Sequence, residues 1–435
     1  MKTIYISDVI ARKNIESNVT LLGWISSKRV SKNYMFLDLV DSTGSIQIVC
    51  NTEQFQPSLY KVEQSVKVTG QVCKNTSNNT IEVHANSLKI LGDVNKVLSP
   101  SPRSNFDAFD TKFTNYVQEN RHLFIRNPQV MAALRARHLV LGAVHNWFRK
   151  NGFIEITAPI LTPVLLYDED TGIPANVNGQ DVFLTQCVGF YLESAVHAFE
   201  KVYNIGPSFR GKESISKRHL TEYWHIKAEM AFCPFDEFFT VIEDLISSII
   251  AEVEPHSEEI CKTLKTGGFC NDGLKLPFPR ITYREAVELL SKNGYDVKFG
   301  QSINDIGEDF LADYFKSPVW ITYNARNIEG FPYTIVENDP EVTYTADLIA
   351  TKGFGEILGI ADKIQNISEL ETRLKEKGKD TNPEYGWFKE LREYGTVQHC
   401  GVGMGVERLI RWLFQLPHVR EAMPFPRSMG RKIYP

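Results

Sequence analysis

The sequence has few cysteines and no long apolar run. Its seven cysteines among 435 residues form no Cys-X-X-Cys pair, so a zinc site and a disulfide framework are both disfavoured. No stretch approaches the roughly 18 uninterrupted apolar residues that a membrane helix needs. The N-terminal segment contains Asp8 and lacks the apolar centre of a signal peptide. We therefore expect a cytoplasmic protein that makes no contact with a membrane.

Signatures of repeat proteins and of two common nucleotide folds are also missing. The sequence contains no internal repeat, no low-complexity run and no Walker or Rossmann glycine motif. The contents of 43% hydrophobic and 11% aromatic residues are typical of chains that bury sizeable cores. The length is too great for one ordinary domain and suits two.

The first 96 residues predict a small β-barrel domain. Short strands separated by turn residues cover 18–26, 33–40, 44–50, 64–72 and 80–91. Strands at this spacing favour a closed barrel.

The second of these strands presents aromatic rings beside cations. Tyr34 and Phe36 alternate with apolar residues that point to the opposite face. The cations that precede Phe36 are Lys28, Arg29 and Lys32. This surface suits single-stranded nucleic acid, because bases stack on rings and phosphates pair with lysine and arginine. The pattern also fits a Phe36 that packs into a second core layer beside cations that are merely solvated.

Residues 97–120 predict a linker, and residues 121–435 predict a second domain. Two prolines and short polar residues disfavour helix and strand in the linker. Asn127-Pro128 predicts the start of a helix that extends to about residue 150. Strands are predicted at 152–159, 201–211, 219–233, 318–324, 343–350 and 355–360, and helices at 235–254, 283–293, 368–377 and 405–415. Hairpin-length gaps between many strands favour an α+β fold with an antiparallel sheet flanked by helices.

Residues 206–223 predict two strands that present a cluster of cations. The cluster consists of Arg210, Lys212, Lys217, Arg218 and His219. Fixed cations on paired strands form a clamp for a polyphosphate, and the planar fork of an arginine can bind phosphate and carboxylate together. An exposed basic hairpin on an acidic domain would have the same sequence pattern.

Residues 401–409, Gly-Val-Gly-Met-Gly-Val-Glu-Arg-Leu, predict a glycine-rich turn at the start of a helix. Alternate glycines permit close backbone approach, and helix starts suit anions and nucleotides. Tight packing also requires glycine, so the pattern leaves both interpretations open.

Residues 347–356 predict a strand with a carboxylate at each end, Asp347 and Glu356. Glu356 could hold a Mg²⁺ ion that carries phosphates. Two ordinary strand-end acids fit the segment as well.

Taken in order, these segments resemble the motifs of the class II aminoacyl-tRNA synthetases, in particular the aspartyl and asparaginyl branch. Residues 154–159 are similar to motif 1, residues 209–232 to motif 2 and residues 401–409 to motif 3. The N-terminal strands are similar to the anticodon-binding OB-fold barrel of this branch. Residues 392–399 and 419–427 resemble asparaginyl more than aspartyl enzymes.

The resemblance implies an ATP site. The family's motif 2 arginine, here Arg210, would bridge the amino acid's carboxylate and the α-phosphate. His219 and Arg408 would hold the γ-phosphate end of a bent ATP. Tyr223 with Arg408 would sandwich the adenine, and Glu356 would carry Mg²⁺. The residues implied in ATP binding are Arg210, Lys212, Arg218, His219, Leu220, Tyr223, Glu356, Gly405, Glu407 and Arg408, and the catalytic ones are Arg210, His219, Glu356 and Arg408.

The resemblance also implies a tRNA partner and a homodimer. The barrel would grip the anticodon loop with Lys28, Arg29, Lys32, Phe36 and Gln47. Motif 1, which ends at Pro159, builds a homodimer interface in this family.

The amino-acid pocket departs from the family pattern. The implied pocket residues are Gly189, Tyr191, Glu193, Asp347, Ala361 and Lys363. Gly189 stands where the family has a glutamine that receives the substrate's α-amino group. Ala361 stands where a serine helps to hold magnesium, and Lys363 stands where an arginine reads the substrate side chain.

Three further changes lie nearby. Lys227 replaces the acid usually found two residues before Glu229, and Arg-x-Glu of motif 2 becomes Arg210-Gly-Lys212. The mobile substrate loop reads Asp168-Glu-Asp-Thr-Gly172. A lost hydrogen-bond partner costs orders of magnitude in substrate discrimination, so the changes indicate an altered pocket.

Three functions therefore remain open. The first is ATP-dependent activation of an amino acid, asparagine before aspartate, as aminoacyl-adenylate and its transfer to tRNA. The second is a paralogue that activates a different amino or carboxylic acid for a non-tRNA acceptor, as in amide synthesis or natural-product assembly. The third is a non-catalytic regulator that binds nucleotide or RNA. Retention of the barrel favours tRNA, and retention of the implied catalytic residues argues against the regulator.

Overall fold

A computed structural model describes residues 2, 4–12, 15–75, 78–167, 171–211, 216–270 and 274–434. The chain divides into two compact units. One unit comprises Met1–Asp110 with His122–Pro128, and the other comprises Thr111–Arg121 with Gln129–Pro435.

The first unit is built around a closed barrel. Its strands are β1 (Asn18–Val30), β2 (Tyr34–Val40), β3 (Ser45–Asn51), β4 (Ser65–Lys74) and β5 (Ile81–Gly92), preceded by helix α1 (Ile6–Arg12). They pair in the order β1-β2-β3-β5-β4, and β4 pairs again with β1. Strand alternation places Met35, Leu37 and Leu39 in the barrel core. The predicted barrel is confirmed.

A mixed β-sheet forms the centre of the second unit. Its strands are β6 (Ile154–Glu155), β10 (Lys201–Phe209), β11 (Glu222–Ala231), β12 (Arg280–Thr282), β13 (Val319–Thr322), β16 (Thr345–Ala350), β17 (Gly355–Asp362) and β18 (His399–Gly405). They pair in the order β12-β13-β16-β17-β18-β11-β10-β6. Smaller sheets contain β7 (Leu161–Thr162), β8 (Ile173–Val177) and β9 (Gln180–Leu184), and β14 (Ile335–Val336) and β15 (Asp339–Thr343). The central pairs are antiparallel as predicted, whereas the edge pairs β12–β13 and β10–β6 are parallel.

Helices flank this sheet. They are α2 (Thr114–Glu119), α4 (Pro128–Lys150), α5 (Gly189–Phe199), α6 (Phe235–Val253), α7 (Ser257–Leu264), α8 (Tyr283–Lys292), α9 (Asp305–Phe315), α10 (Ile367–Glu376), α11 (Gly386–Glu390) and α12 (Val406–Leu413). The short helix α3 (Arg121–Phe124) belongs mostly to the first unit. Leu192 and Val196 of α5 pack against Val202 of β10, which fixes α5 against the sheet. Over the described ranges, no helix combines the length and the apolar content that crossing a membrane requires.

Two local predictions are wrong. The strand predicted at 152–159 is limited to β6, and Ile156 adds one more hydrogen bond to Tyr203 O at 2.8 Å before the chain leaves the sheet. No helix is predicted in 97–120, but the segment contains α2, because Val117 is buried at 2% exposure and anchors a helical turn. Its role as a linker between domains stays a prediction. Local composition shows neither the edge position of β6 nor the surface that buries Val117.

Candidate active site

A cavity of about 320 Å³ lies over the central strands of the second unit. Its floor is made by residues of four adjacent strands. On β11 they are Tyr223, His225, Lys227 and Glu229; on β18 Gly401, Gly403 and Gly405; on β17 Glu356, Gly359 and Ala361; and on β16 Thr345 and Asp347. Side chains at alternate positions of a strand share one face, so the pleat brings the motif segments together.

The glycines of 401–405 lie on strand β18, so the predicted glycine-rich turn is wrong. They lie opposite the charged residues of β11, with Gly401 paired to Glu229 and Gly403 to Lys227. A Cβ on Gly401 would come within 2.4 Å of Glu229 Oε2, and one on Gly403 within 2.2 Å of Lys227 Nζ. The glycines therefore leave room for these charged side chains to lie flat on the sheet.

Asp347 and Glu356 do not lie at the two ends of one strand. They lie on the neighbouring antiparallel strands β16 and β17, joined by a short turn. The separate strands predicted at 343–350 and 355–360 correspond to β16 and β17, whereas the single strand predicted over 347–356 is wrong. Because β16 and β17 are neighbours, both carboxylates face the same cavity.

Arg408, Glu356 and His219 form one polar group in the cavity. Arg408 Nη1 lies 3.0 Å from Glu356 Oε2, and Arg408 Nη2 lies 3.3 Å from His219 Nε2. Burial raises the pKa of Glu356, but the charge and hydrogen bond of Arg408 outweigh it, so the net pKa is below its ordinary value. Burial and the positive charges of Arg408, Arg210 and Arg218 lower the pKa of His219 to about 4.

The cations of the predicted phosphate clamp have different environments. Arg210 lines the cavity and is exposed. Arg218 also lines it, but its guanidinium is bound by Asp305 and Glu308 of α9. Lys212 lies outside the described residues, as does the segment 168–170 of the predicted substrate loop.

Other residues implied in ATP binding line the same cavity, namely Leu220, Tyr223, Gly405 and Glu407. Glu407 is engaged by the protein itself. Its Oε1 accepts from Arg137 Nη1 at 2.6 Å, and its Oε2 accepts from the Trp224 backbone N–H at 3.0 Å. This carboxylate therefore fixes α12 against α4 and β11.

A buried ionic network closes one end of the cavity. Lys363 Nζ lies 3.4 Å from Glu193 Oε1 and 3.4 Å from Glu229 Oε1. Glu193 Oε2 accepts from Arg392 Nη2 at 2.5 Å, and His399 Nε2 lies 3.7 Å away. The side chains of Glu193 and Arg392 are each 1% exposed.

The network shifts the pKa of its members in opposite directions. Burial raises the pKa of Glu193, but Arg392 and Lys363 outweigh it and the net pKa is low. Burial raises the pKa of Glu229, and its partner Lys363 offsets only part of this. Burial lowers the pKa of Lys363, but the two glutamates outweigh it and the net pKa is high.

The implied amino-acid pocket is only partly assembled at the cavity. Gly189, Asp347, Ala361 and Lys363 line it. Glu193 lies behind Lys363, within the buried network. Tyr191 stacks on Trp387 with 5.7 Å between ring centres, and its hydroxyl lies 3.2 Å from Thr162 Oγ1.

Two acids on the opposite side of the cavity share one amide. Asn324 Nδ2 donates to Asp347 Oδ2 at 2.7 Å and to Glu329 Oε1 at 2.9 Å. Burial, followed by the charge of Glu356, raises the pKa of Asp347 well above its usual range. Burial also raises the pKa of Glu329.

Sequence reasoning missed several residues of this site. They are His225, Glu329, Tyr333, Arg392 and His399. His225 could have been predicted, because it lies two positions after Tyr223 on the same strand and alternate side chains of a strand point to the same face. Arg392 and His399 end the segment 392–399, whose resemblance to asparaginyl enzymes assigned no role to either side chain. No local pattern marks Glu329 and Tyr333.

The ring of Phe36 lies on the outer surface of the barrel in the first unit. Phe36 is half-buried and lies outside the barrel core. The Arg29 guanidinium lies 5.9 Å from the Phe36 ring centre and donates to Gln47 Oε1 at 3.1 Å. Lys28 Nζ donates to the backbone oxygens of Pro57 and Tyr60, whereas Lys32 is exposed.

Two family models match the chain. Residues 114–429 match the family described as tRNA synthetases class II (D, K and N), and residues 19–91 match the OB-fold nucleic acid binding domain.

Solved structures support the same assignment. The asparaginyl-tRNA synthetase from Pyrococcus horikoshii, complexed with asparaginyl-adenylate, is 30% identical with a TM-score of 0.90 over 100% of both chains. The asparaginyl-tRNA synthetase from Entamoeba histolytica, also in complex with asparaginyl-adenylate, is 26% identical with a TM-score of 0.86 over 97% of this chain and 98% of that chain. The aspartyl tRNA synthetase from Entamoeba histolytica has the same fold, with 22% identity and a TM-score of 0.84 over 100% of this chain and 93% of that chain. The chain belongs to the class II tRNA synthetases of the D, K and N group.

Proposed function

We propose that this protein activates a small acid with ATP, as an acyl-adenylate, and transfers the acyl group to tRNA. The observation that carries the proposal is the meeting of Arg210, His219, Glu356 and Arg408 at one cavity. In the first step a carboxylate oxygen of the acid attacks the α-phosphorus of ATP. The bond from that phosphorus to the bridging oxygen breaks, and pyrophosphate leaves.

Arg210 would stabilise the charge that develops between carboxylate and α-phosphate, because its planar fork can contact both groups. His219 and Arg408 would bind the far phosphates. Tyr223 and Arg408, which both line the cavity, would sandwich the adenine. These roles require positioning and electrostatic stabilisation and no covalent nucleophile on the protein.

Glu356 fits the way that proteins usually hold Mg²⁺. The described residues contain no cluster of three or more His, Cys, Asp or Glu side chains that could hold a metal ion. Mg²⁺ is commonly bound by one or two carboxylates together with substrate phosphates and water. Glu356 would supply such a carboxylate, and bound Mg²⁺ would neutralise phosphate charge.

The first unit supports tRNA as the acceptor. Phe36 and Arg29 lie together on the outer barrel surface with Gln47 beside them. A ring, a guanidinium and an amide suit stacking on, and hydrogen bonding to, unpaired bases of an anticodon loop. The homodimer implied by motif 1 and the cytoplasmic location remain predictions, and Pro159 is exposed in the single chain.

Asparagine is the substrate that the motifs favour, followed by aspartate. The two asparaginyl-tRNA synthetases with bound asparaginyl-adenylate support this choice. A second candidate is a different carboxylic acid, as in a synthetase paralogue. It is favoured by one observation: Lys227 places a positive charge in the cavity.

ATP–pyrophosphate exchange across the twenty amino acids, with and without total tRNA, tests the reaction. Arg210→Ala should abolish exchange while leaving the oligomeric state unchanged, because the side chain is exposed in the cavity and supports no packing. Lys262→Ala, at an exposed position of α7 outside the cavity, is the control. Unchanged turnover in Arg210→Ala would remove this arginine from the site.

A further inference from the structure

Lys227 forms no salt bridge in the described part of the chain, although the charge of Glu229, two residues along β11, acts on it. Its ammonium lies on the cavity floor against Gly403. The neighbouring acids already have partners. Glu229 pairs with Lys363 at 3.4 Å, Glu356 pairs with Arg408 at 3.0 Å, and Asp347 accepts from Asn324 at 2.7 Å.

Glu229 presents the complementary feature. Its Oε2 is buried and has no hydrogen-bond partner among the described residues. The residue is only 3% exposed, and it lines the cavity. A buried polar atom of this kind normally has a partner, which indicates that a bound molecule supplies a donor. Lys227 and Glu229 are two positions apart on β11, so their side chains lie side by side on one face, with Cα atoms about 7 Å apart.

The charges around these two residues disfavour a bound ammonium group. Lys363 and Lys227 both act on Glu229, so this carboxylate already faces two positive charges. The acids Glu356 and Asp347 of the cavity floor are engaged by Arg408 and Asn324. Gly189 adds no polar side chain where it lines the cavity. A substrate ammonium near Lys227 would face like charge in a partly desolvated site, whereas an anionic group would gain a charge-assisted hydrogen bond.

We propose that the acid activated at this site is a small dicarboxylic acid with no free ammonium group, whose second carboxylate binds Lys227. A hydroxyl on the same molecule donates to Glu229 Oε2. This inference rests on the proposed adenylation and develops its second candidate, a carboxylic acid other than asparagine or aspartate, at the same site.

ATP–pyrophosphate exchange with four acids of similar size tests whether the site requires a second carboxylate and whether it tolerates an ammonium group. Succinate and malate carry two carboxylates and no ammonium, aspartate carries both features, and asparagine has an ammonium and one carboxylate. We expect kcat/KM for succinate and malate to exceed that for aspartate and asparagine by at least about tenfold, with malate the better of the two because its hydroxyl reaches Glu229. Exchange with asparagine at equal or higher efficiency would overturn the substrate class while leaving adenylation intact. No exchange with these acids or with any of the twenty amino acids would overturn the proposed function itself.

Variants of Lys227 then test the contact. Lys227→Met should raise KM for the dicarboxylate by at least about tenfold and leave KM for ATP unchanged, because a lost charged hydrogen bond commonly has that effect. Lys227→Arg should retain most of the activity because it keeps the positive charge. Its activity would show that position 227 tolerates substitution, so that a defect in the methionine variant reflects the lost charge. Lys201→Met on the adjacent strand β10, outside the cavity, is the control and should match the wild type. An equal rise in KM for ATP would assign Lys227 to a phosphate and refute the inference.

Discussion

The buried network at the closed end of the cavity predicts a large stability effect for Glu193→Gln. The glutamate carboxylate holds the guanidinium of Arg392 at 2.5 Å and the ammonium of Lys363 at 3.4 Å. These side chains are 1% and 8% exposed, so water cannot replace the lost charge. Removing one partner of a buried ion pair leaves an uncompensated charge and typically costs 3–5 kcal/mol.

We expect a loss near the lower end of that range, about 3 kcal/mol. Glutamine can still accept from Arg392, and Lys363 keeps Glu229 as a partner at 3.4 Å. Arg392 also donates to the backbone oxygens of Ile364 and Phe388, at 3.0 and 3.1 Å. These contacts limit the loss in free energy of unfolding but do not restore the negative charge that Arg392 and Lys363 lose.

The loss can be measured by urea unfolding followed by tryptophan fluorescence. Of the six tryptophans only Trp24 lies outside the second unit, so the signal reports mainly on the unit that holds the network. The control is Glu288→Gln, which removes an exposed pair with Lys292 at 3.8 Å. Its cost should stay below about 0.5 kcal/mol. A loss of less than about 1 kcal/mol in Glu193→Gln would refute the reasoning, because it would mean that no charge is left uncompensated in the core.

The sign of the pH dependence supplies a second check on the same variant. The pKa of Glu193 is lower in the folded than in the unfolded protein, because Arg392 and Lys363 outweigh burial. Its contribution is therefore present above the unfolded glutamate value of about 4.3 and is lost as the pH falls below it. The stability difference between wild type and Glu193→Gln should narrow in that acidic range.

Two further predictions concern the RNA surface and the nucleotide end of the cavity. Phe36→Ala should weaken tRNA binding tenfold or more in a filter-binding assay without changing ATP–pyrophosphate exchange, because base stacking contributes about 1–3 kcal/mol. Leu91→Ala, another exposed apolar position of the barrel unit, should match the wild type, and equal losses in both assays for Phe36→Ala would mean a purely structural barrel. The pKa of His219 is lowered to about 4 by burial and nearby arginines, so its ring should be neutral at pH 7 and titrate only in acid. NMR titration of labelled histidine, assigned with His219→Asn, checks this, and a midpoint near 6.5 would contradict it.

Much of this protein follows from local sequence pattern. Alternation of apolar and polar residues in 34–40 was enough to place Phe36 on the outer barrel face, because successive side chains of a strand point to opposite faces. Helical periodicity predicted 235–254, and α6 covers Phe235–Val253. The cavity also brings together Arg210, His219 and Arg408, whose shared site was implied by the resemblance to the class II motifs and not by any local pattern.

The distribution of charge within the cavity was decided only by tertiary structure. Glu193 and Arg392 are 199 residues apart, and no local pattern reveals that they form a buried pair. The local pattern predicts a turn at the glycines of 401–405, whereas strand register places Gly401 and Gly403 opposite Glu229 and Lys227. Whether a charged residue is paired or left without a counter-ion depends on which strands become neighbours. Hydrophobic periodicity specifies the faces of individual elements, while long-range strand order determines the partners of their polar side chains.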